Sequence, residues 1–313
     1  MVQTTPAPSA TLMDRIQYVF LRAGEMFFRV LPRRMGLALA RLLGRLGYYA
    51  LPTRRRVMLE NLHIAFPDMP VTERKRIARA SSAAFAAGVV ENFRAEELFR
   101  NCERFYEFDD AEIKHLRAVF DENKGVVIVY FHYGNWELLI PLYSHLGFPA
   151  VHAVAREVKN PLATEWLART RTRDNVKILL RGHAGIEVLR AVKRGEAAGI
   201  PCDINTTAGE GIFVDFFGVP AATTPAPAEI SLRYGSPVVI AFAERKRAGR
   251  YLVRFGPVLR PEEFKDKPEP VHAMMLAVNK EIENVIKRDP TQYLWGHRRW
   301  NTRPPGDTWK PNY

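Results

Sequence analysis

The chain has 313 residues, 47% of them hydrophobic, and Lys plus Arg exceed Asp plus Glu by 46 to 34, a net charge of +12. That is ample for a core, and the basic excess implies an anionic partner: nucleic acid, an anionic membrane or an acidic protein. The two cysteines, Cys102 and Cys202, are far apart and lack CxxC spacing, which argues against a disulfide framework or a zinc site and for a reducing cytoplasm.

Residues 1 to 10 are polar and Pro-rich, and disorder is expected there. From Leu12, Ile16, Val19, Phe20, Ala23, Phe27, Val30 and Leu31 recur at helical spacing, and Leu37, Leu39, Leu42, Leu43 and Leu46 do so again before Pro52. Arg15, Arg22, Arg29, Arg33, Arg34, Arg41 and Arg45 are scattered along both segments, so neither reads as a membrane-spanning helix, and the start lacks the basic n-region of a signal peptide. Two amphipathic helices fit the pattern. They suit an interfacial membrane helix, and equally a surface helix packed on its own core. Helix continues past Arg54, Arg55 and Arg56, resumes at Thr72 and Glu73 to about Arg94, and returns over 110 to 122.

Residues 123 to 139, NKGVVIVYFHYGNWELL, organise the rest. The unbroken apolar run from Val126 to Phe131 predicts a strand buried on both faces. His132 and Gly134 follow, then Asn135 as an N-cap and Glu137 in a first helical turn. His132 is thus expected on the loop at the carboxyl end of a central strand, the edge where open α/β sheets bind ligands. Of the eight histidines, His63, His132 and His152 have an acidic residue five positions on, and only His132 stands between a hydrophobic strand and a helix start. An imidazole there can take a proton from an attacking hydroxyl while a carboxylate holds its other nitrogen; a buried histidine bonded to backbone is the competing reading.

Strands at 151 to 155, 177 to 180 and 197 to 203 alternate with helices at 160 to 173 and 185 to 194, and three further strand-like stretches precede a helix at 270 to 287. The expected fold class is α/β, a mixed, largely parallel central sheet flanked by helices, with an N-terminal amphipathic helical region. The expected organisation is a 1–10 tail, an 11–122 helical region and a 123–313 core, the last two continuous. Arg156 follows a strand and can meet His132 in one crevice, or pair with Glu157 or Glu165. Asp203 ends another strand as an acceptor-binding group or a turn-forming residue. Asn160 and Pro161 predict a helix cap. His297, Arg298, Arg299, Trp300 and Arg303 can grip an anionic headgroup or stack on the protein's own core.

HYGNWE after a buried strand resembles the H-x4-D/E motif of the glycerolipid acyltransferase superfamily, in the form found in bacterial lipid A (lauroyl/myristoyl) acyltransferases. RRRVMLENLHIAFPDMPVTER (54 to 74), AREVKNPLATEWLARTR (155 to 171), IFVDFFGVPAATTPAPAEISLRYGSPVV (212 to 239) and QYLWGHRRWNTRPP (292 to 305) resemble that family's blocks in the same order, from about residue 15 to the end. The resemblance implies transfer of an acyl chain from acyl carrier protein to a hydroxyl of a lipid A precursor, with His132 as base and Glu137 orienting it. It implies no metal, bound cofactor or covalent acyl-enzyme, the acyl thioester being a co-substrate. Asn135, Arg156, Asp203, Gly218, Thr223 and Thr224 are the substrate-binding candidates, and FVDFFGVPAATTPAP either shapes the acyl pocket or packs the core. The partners implied are the carrier protein, an anionic glycolipid and the membrane surface, with peripheral attachment at the cytoplasmic face of the inner membrane. Two alternatives are an acyl-CoA-dependent enzyme acting on a phospholipid or mannosylated lipid, and a basic non-catalytic membrane or nucleic-acid binding protein. Arginines spread along the chain rather than gathered in one module argue against nucleic acid.

Overall fold

The structure, a computed structural model, describes residues 10–180, 184–207, 209–246 and 249–313, so the expected tail lies, except for Ala10, outside the described residues. The leading helices are α1 (Leu12–Val30) and α2 (Arg33–Ala50). Thr11 and Asp14 close a capping box at the start of α1. At its end the carbonyls of Phe28, Arg29 and Leu31 accept from the buried Arg94 guanidinium, a cation where helix carbonyls lack partners. The burial of α1 is inverted relative to a soluble surface helix. Its one buried residue is Glu25, which accepts from Trp166 Nε1 and pairs with Arg22 and Arg29, whereas Phe20 is 73% exposed and Val30 81%.

Helices α3 (Pro52–Ala65), α4 (Val71–Phe93), α5 (Ala95–Arg100) and α6 (Cys102–Phe105) lead into a short strand, β1 (Tyr106–Phe108), which sequence reasoning missed. After α7 (Asp110–Asp121) come β2 (Val126–Gly134), α8 (Trp136–Leu139), α9 (Leu142–Leu146), β3 (Val151–Ala155), α10 (Pro161–Arg171), β4 (Val176–Leu180), α11 (Ala184–Lys193) and β5 (Ala197–Pro201). A hairpin of β6 (Ile212–Phe216) and β7 (Val219–Thr223) follows, then α12 (Ala226–Tyr234), β8 (Val238–Arg245), β9 (Tyr251–Leu259) and α13 (Pro270–Arg288). Seven strands form one sheet in the order β1-β9-β8-β2-β5-β3-β4, and only β8 and β9 run antiparallel. The expected mixed, largely parallel sheet is present. Because β1 pairs with β9, the 11–122 region contributes a strand to the core sheet.

The apolar run is uninterrupted because both faces of β2 are covered. Val127, Val129, Phe131 and Tyr133 enter one core with α4, α12 and α13, while Val126, Ile128 and Tyr130 enter another with α7 and α9. The strand outlasts its apolar run: pairing with β8 shifts register between Tyr130 and Gly134, so His132 lies in the irregular end of β2 and not on a loop. Gly134 allows that ending. Its φ is +61°, and a Cβ there would stand 1.8 Å from the Ala243 carbonyl oxygen. Left-handed strain and the backbone clash together should cost Gly134→Ala about 3 kcal/mol or more, measurable as a lowered midpoint in urea unfolding.

Candidate functional site

The nearest acid in sequence is not the one that meets the imidazole. Strand β5 lies beside β2, and the chain leaving it carries Asp203, whose carboxylate accepts from the His132 backbone N–H at 2.9 Å and lies 2.8 Å from Nδ1. An ionised carboxylate only accepts, so Nδ1 bears the proton and Nε2 of the neutral ring is left as the basic nitrogen. Burial pushes the His132 pKa down, and the adjacent Asp203 charge and hydrogen bond more than reverse this, leaving it above its ordinary value. Asp203 is itself buried, which pushes its pKa up. The charge of His132, hydrogen bonds from its ring and backbone, and the Arg299 charge outweigh this and hold it below the usual carboxylate range.

Glu137 does not orient His132. It begins α8 as expected, but its carboxylate takes Arg171 Nε and Nη2 of α10 in a two-pronged pair (2.5 and 2.7 Å). The Trp136 ring touches both residues, centred 5.0 Å from the His132 ring and donating from Nε1 to Glu137 at 3.2 Å. In a partly buried pair, either partner alone is left with an uncompensated charge or an unmet donor. Arg171→Leu and Glu137→Gln should therefore each cost about 2 kcal/mol or more of stability. The double variant should be far from additive, as a thermodynamic cycle from urea unfolding will read.

Asn135 makes no side-chain capping bond; buried, it donates from Nδ2 to Glu91 at 3.2 Å and ties the turn to α4. Glu91 is in turn held by Arg245 and the Tyr251 hydroxyl. Arg156 stands exposed at the carboxyl end of β3, pairs with neither Glu157 nor Glu165, and its charge reaches His297. Asn160 caps α10 as expected, accepting from the Leu162 and Ala163 N–H groups.

The later stretch builds a hairpin and the start of α12. Gly218 (φ +75°) and Phe217 (φ +54°) form the turn of the β6–β7 hairpin, and Pro220 lies within β7. Thr223 is fully buried, donating to the Ala221 carbonyl and accepting from Arg299; Thr224 accepts from Ala226 N at the start of α12. Gly218 thus serves a turn, Thr223 is held by core bonds, and Thr224 bonds to the Ala226 N–H. Phe216 is buried against Tyr293 and Trp300, so this segment packs the core.

The closing block also faces inward. Leu294 N donates to the His132 carbonyl, Asn61 donates to the carbonyls of Trp295 and His297, and Arg299 and Trp300 are buried. Burial lowers the His297 pKa to about 4, so the ring is neutral and its Nε2 accepts from Asn205 N. Cys202 is buried beside Asp203, and burial raises its thiol pKa well out of the nucleophilic range.

On the Trp136 side a cavity of about 200 Å³ opens, walled by Leu21, Phe85, Val89, Phe93, Trp166 and Leu167. Leu21 belongs to α1, so the helix with the exposed apolar face forms one wall of the apolar cavity at the site. Sequence reasoning missed this cavity, since its walls come from four separated segments.

The sequence model describing bacterial lipid A biosynthesis acyltransferases matches residues 8–302. Among known proteins, a lipid A biosynthesis lauroyltransferase of Escherichia coli K12 is 28% identical over 273 residues, 84% of each chain. A lipid A biosynthesis acyltransferase of Haemophilus influenzae is 29% identical over 259 residues, 80% of this chain and 78% of the relative. A lipid A biosynthesis palmitoleoyltransferase of E. coli K12 is 28% identical over 273 residues, 84% of this chain and 85% of the relative.

Proposed function

The chain belongs to the bacterial lipid A biosynthesis acyltransferase family, and on that premise we propose that it moves a fatty acyl chain from acyl carrier protein to a hydroxyl of a lipid A precursor, with His132 as general base held by Asp203. The observation that carries this reading is the His132–Asp203 pair at the carboxyl edge of the central sheet. Nε2 takes the hydroxyl proton as the oxygen attacks the thioester carbonyl. The tetrahedral intermediate then collapses, the C–S bond breaks, and the imidazolium returns the proton to the departing thiolate. No covalent acyl-enzyme is formed, in keeping with the buried, protonated thiol of Cys202. Glu137 acts one step removed, its pair with Arg171 steadying the turn that carries Trp136.

The acyl chain is assigned to the apolar cavity beside Trp136. Gly88 lines it, and a Cβ added there would meet only Arg245 Nη2, at 3.9 Å. Gly88→Leu should therefore shift preference towards shorter acyl chains, read by competition between donors of different length. A lipid acceptor requires a lipid surface. The outward apolar residues of α1 and α2, with Arg15, Arg34, Arg41 and Arg45 among them, suit peripheral attachment at the cytoplasmic face of the inner membrane, and among the described residues no helix is long and apolar enough to cross it. An acidic carrier protein suits a chain of net charge +12. The test is transfer of radiolabelled acyl groups to a lipid A precursor from acyl carrier protein and, separately, from acyl-CoA. Preferential transfer from the carrier is expected; transfer from acyl-CoA alone overturns the donor assignment, and no transfer from either overturns the acceptor.

A further inference from the structure

Arginines elsewhere on this surface are often neutralised, as Arg169, Arg190, Arg194 and Arg260 are by neighbouring carboxylates. Between the start of α3 and the start of α4, where Arg76 pairs with Glu73, three other arginines come together. Among the described residues, Arg55, Arg56 and Arg74 form no ion pair, and together they line a groove of about 390 Å³ with His63, Glu60 and Asn312. An anion seated in the groove supplies the counter-charge that these three guanidiniums lack.

The charges define the anion. Three guanidiniums against one carboxylate, Glu60, which already accepts from Asn312 N, leave a net of two positive charges from these side chains. That balance matches a phosphate monoester, which has three free oxygens and roughly 1.5 to 2 negative charges, better than a diester. The surroundings indicate where the phosphate comes from. Leu46, Tyr49 and Leu51 are more than half exposed on the segment that runs into Pro52 at the groove wall, an apolar approach unsuited to a free ion and suited to a lipid.

We propose that this groove binds the phosphate monoester headgroup of a lipid at the bilayer surface, an inference that rests on the peripheral attachment argued above. Neither His132 nor Asp203 lines it, and it provides a headgroup contact beside the apolar helices proposed to meet the bilayer.

The test uses the full chain in two arms. In the first, wild type, Arg55→Gln/Arg56→Gln/Arg74→Gln, the single Arg74→Gln, and Arg100→Gln/Arg233→Gln/Arg288→Gln, three exposed arginines elsewhere, as a charge-matched control are titrated with vesicles. The vesicles contain phosphatidic acid or phosphatidylglycerol at equal surface charge. Wild type and control should prefer phosphatidic acid by about tenfold, the groove triple should lose the preference, and Arg74→Gln should lose part of it. In the second arm inorganic phosphate is followed through the His63 imidazole resonances, which should shift saturably in wild type and stay fixed in the groove triple.

Vesicle binding without headgroup preference, with His63 unmoved by phosphate, overturns the groove while the membrane reading stands. A phosphate-dependent shift of His63 without binding to any vesicle keeps the anion site and overturns both its lipid source and the membrane reading. A His63 shift produced by acyl carrier protein but not by phosphate overturns the proposal in favour of the donor protein.

Discussion

His132→Asn should fold like wild type and lose about 10²- to 10⁴-fold of acyl transfer, the contribution of a positioned general base. The choice of asparagine follows from the pair. Removing the whole ring, as in His132→Ala, withdraws a donor from a buried carboxylate and should lower stability by about 1 to 3 kcal/mol besides abolishing catalysis. Asparagine places an amide N–H near the position of Nδ1 and so keeps Asp203 bonded, but offers no basic nitrogen in place of Nε2. Transfer assays with thermal unfolding of both variants separate the effects. Equal loss of activity with unequal stability supports His132 as the base, whereas activity that follows stability across the two variants would leave it a structural residue.

Asp203→Asn should remove about 10²-fold or more of kcat/KM and also move its pH dependence. The neutral imidazole is the active form, so the wild-type rate should climb as pH rises through the elevated His132 pKa. Without the carboxylate the lowering effect of burial remains, with the smaller and opposed charges of Glu137 and Arg171, so the climb should move to lower pH while the plateau falls. A reduced plateau with an unmoved profile would show that Asp203 does not set the basicity of His132. Stability gives a second readout. His132, with its folded pKa raised, contributes stability that is present below its unfolded pKa and lost as pH rises through the folded value. Asp203, with its folded pKa depressed, contributes stability that is present above its unfolded pKa and lost as pH falls through the folded value. Asp203→Asn should flatten both arms of the wild-type curve, as urea titrations across pH will read.

The two-pronged pair of Glu137 with Arg171 gives the motif's acid a different place in the same reaction. Trp136 lies against the imidazole on one side and lines the apolar cavity on the other, so a displaced turn misaligns the base and the acyl wall together. The closing block has a comparable effect from the other flank. Leu294 is bonded to the carbonyl of His132 and Arg299 lends its charge to Asp203, so buried packing there sets the electrostatics of the pair.

Local patterning by itself determined the core strand, the helix spacings, the Asn160 cap and the amphipathic character of α1 and α2, because period, caps and turn residues act over a few neighbouring positions. It also marked His132, whose place at the end of a doubly buried strand is written in the residues on either side of it. The acid that meets His132 could not be read in the same way. Asp203 is 71 residues away, and only the pairing of β2 with β5 brings the two side chains together, whereas the fifth-position spacing of Glu137 favoured a partner that the extended end of β2 turns towards α10 instead. The inward turn of the Arg299 and Trp300 cluster and the pairing of β1 with β9 were likewise decided by tertiary structure. Spacing along a chain limits which neighbours can meet, but the partner of a buried charge is set by desolvation, which favours whichever opposite group the sheet order places within hydrogen-bond reach.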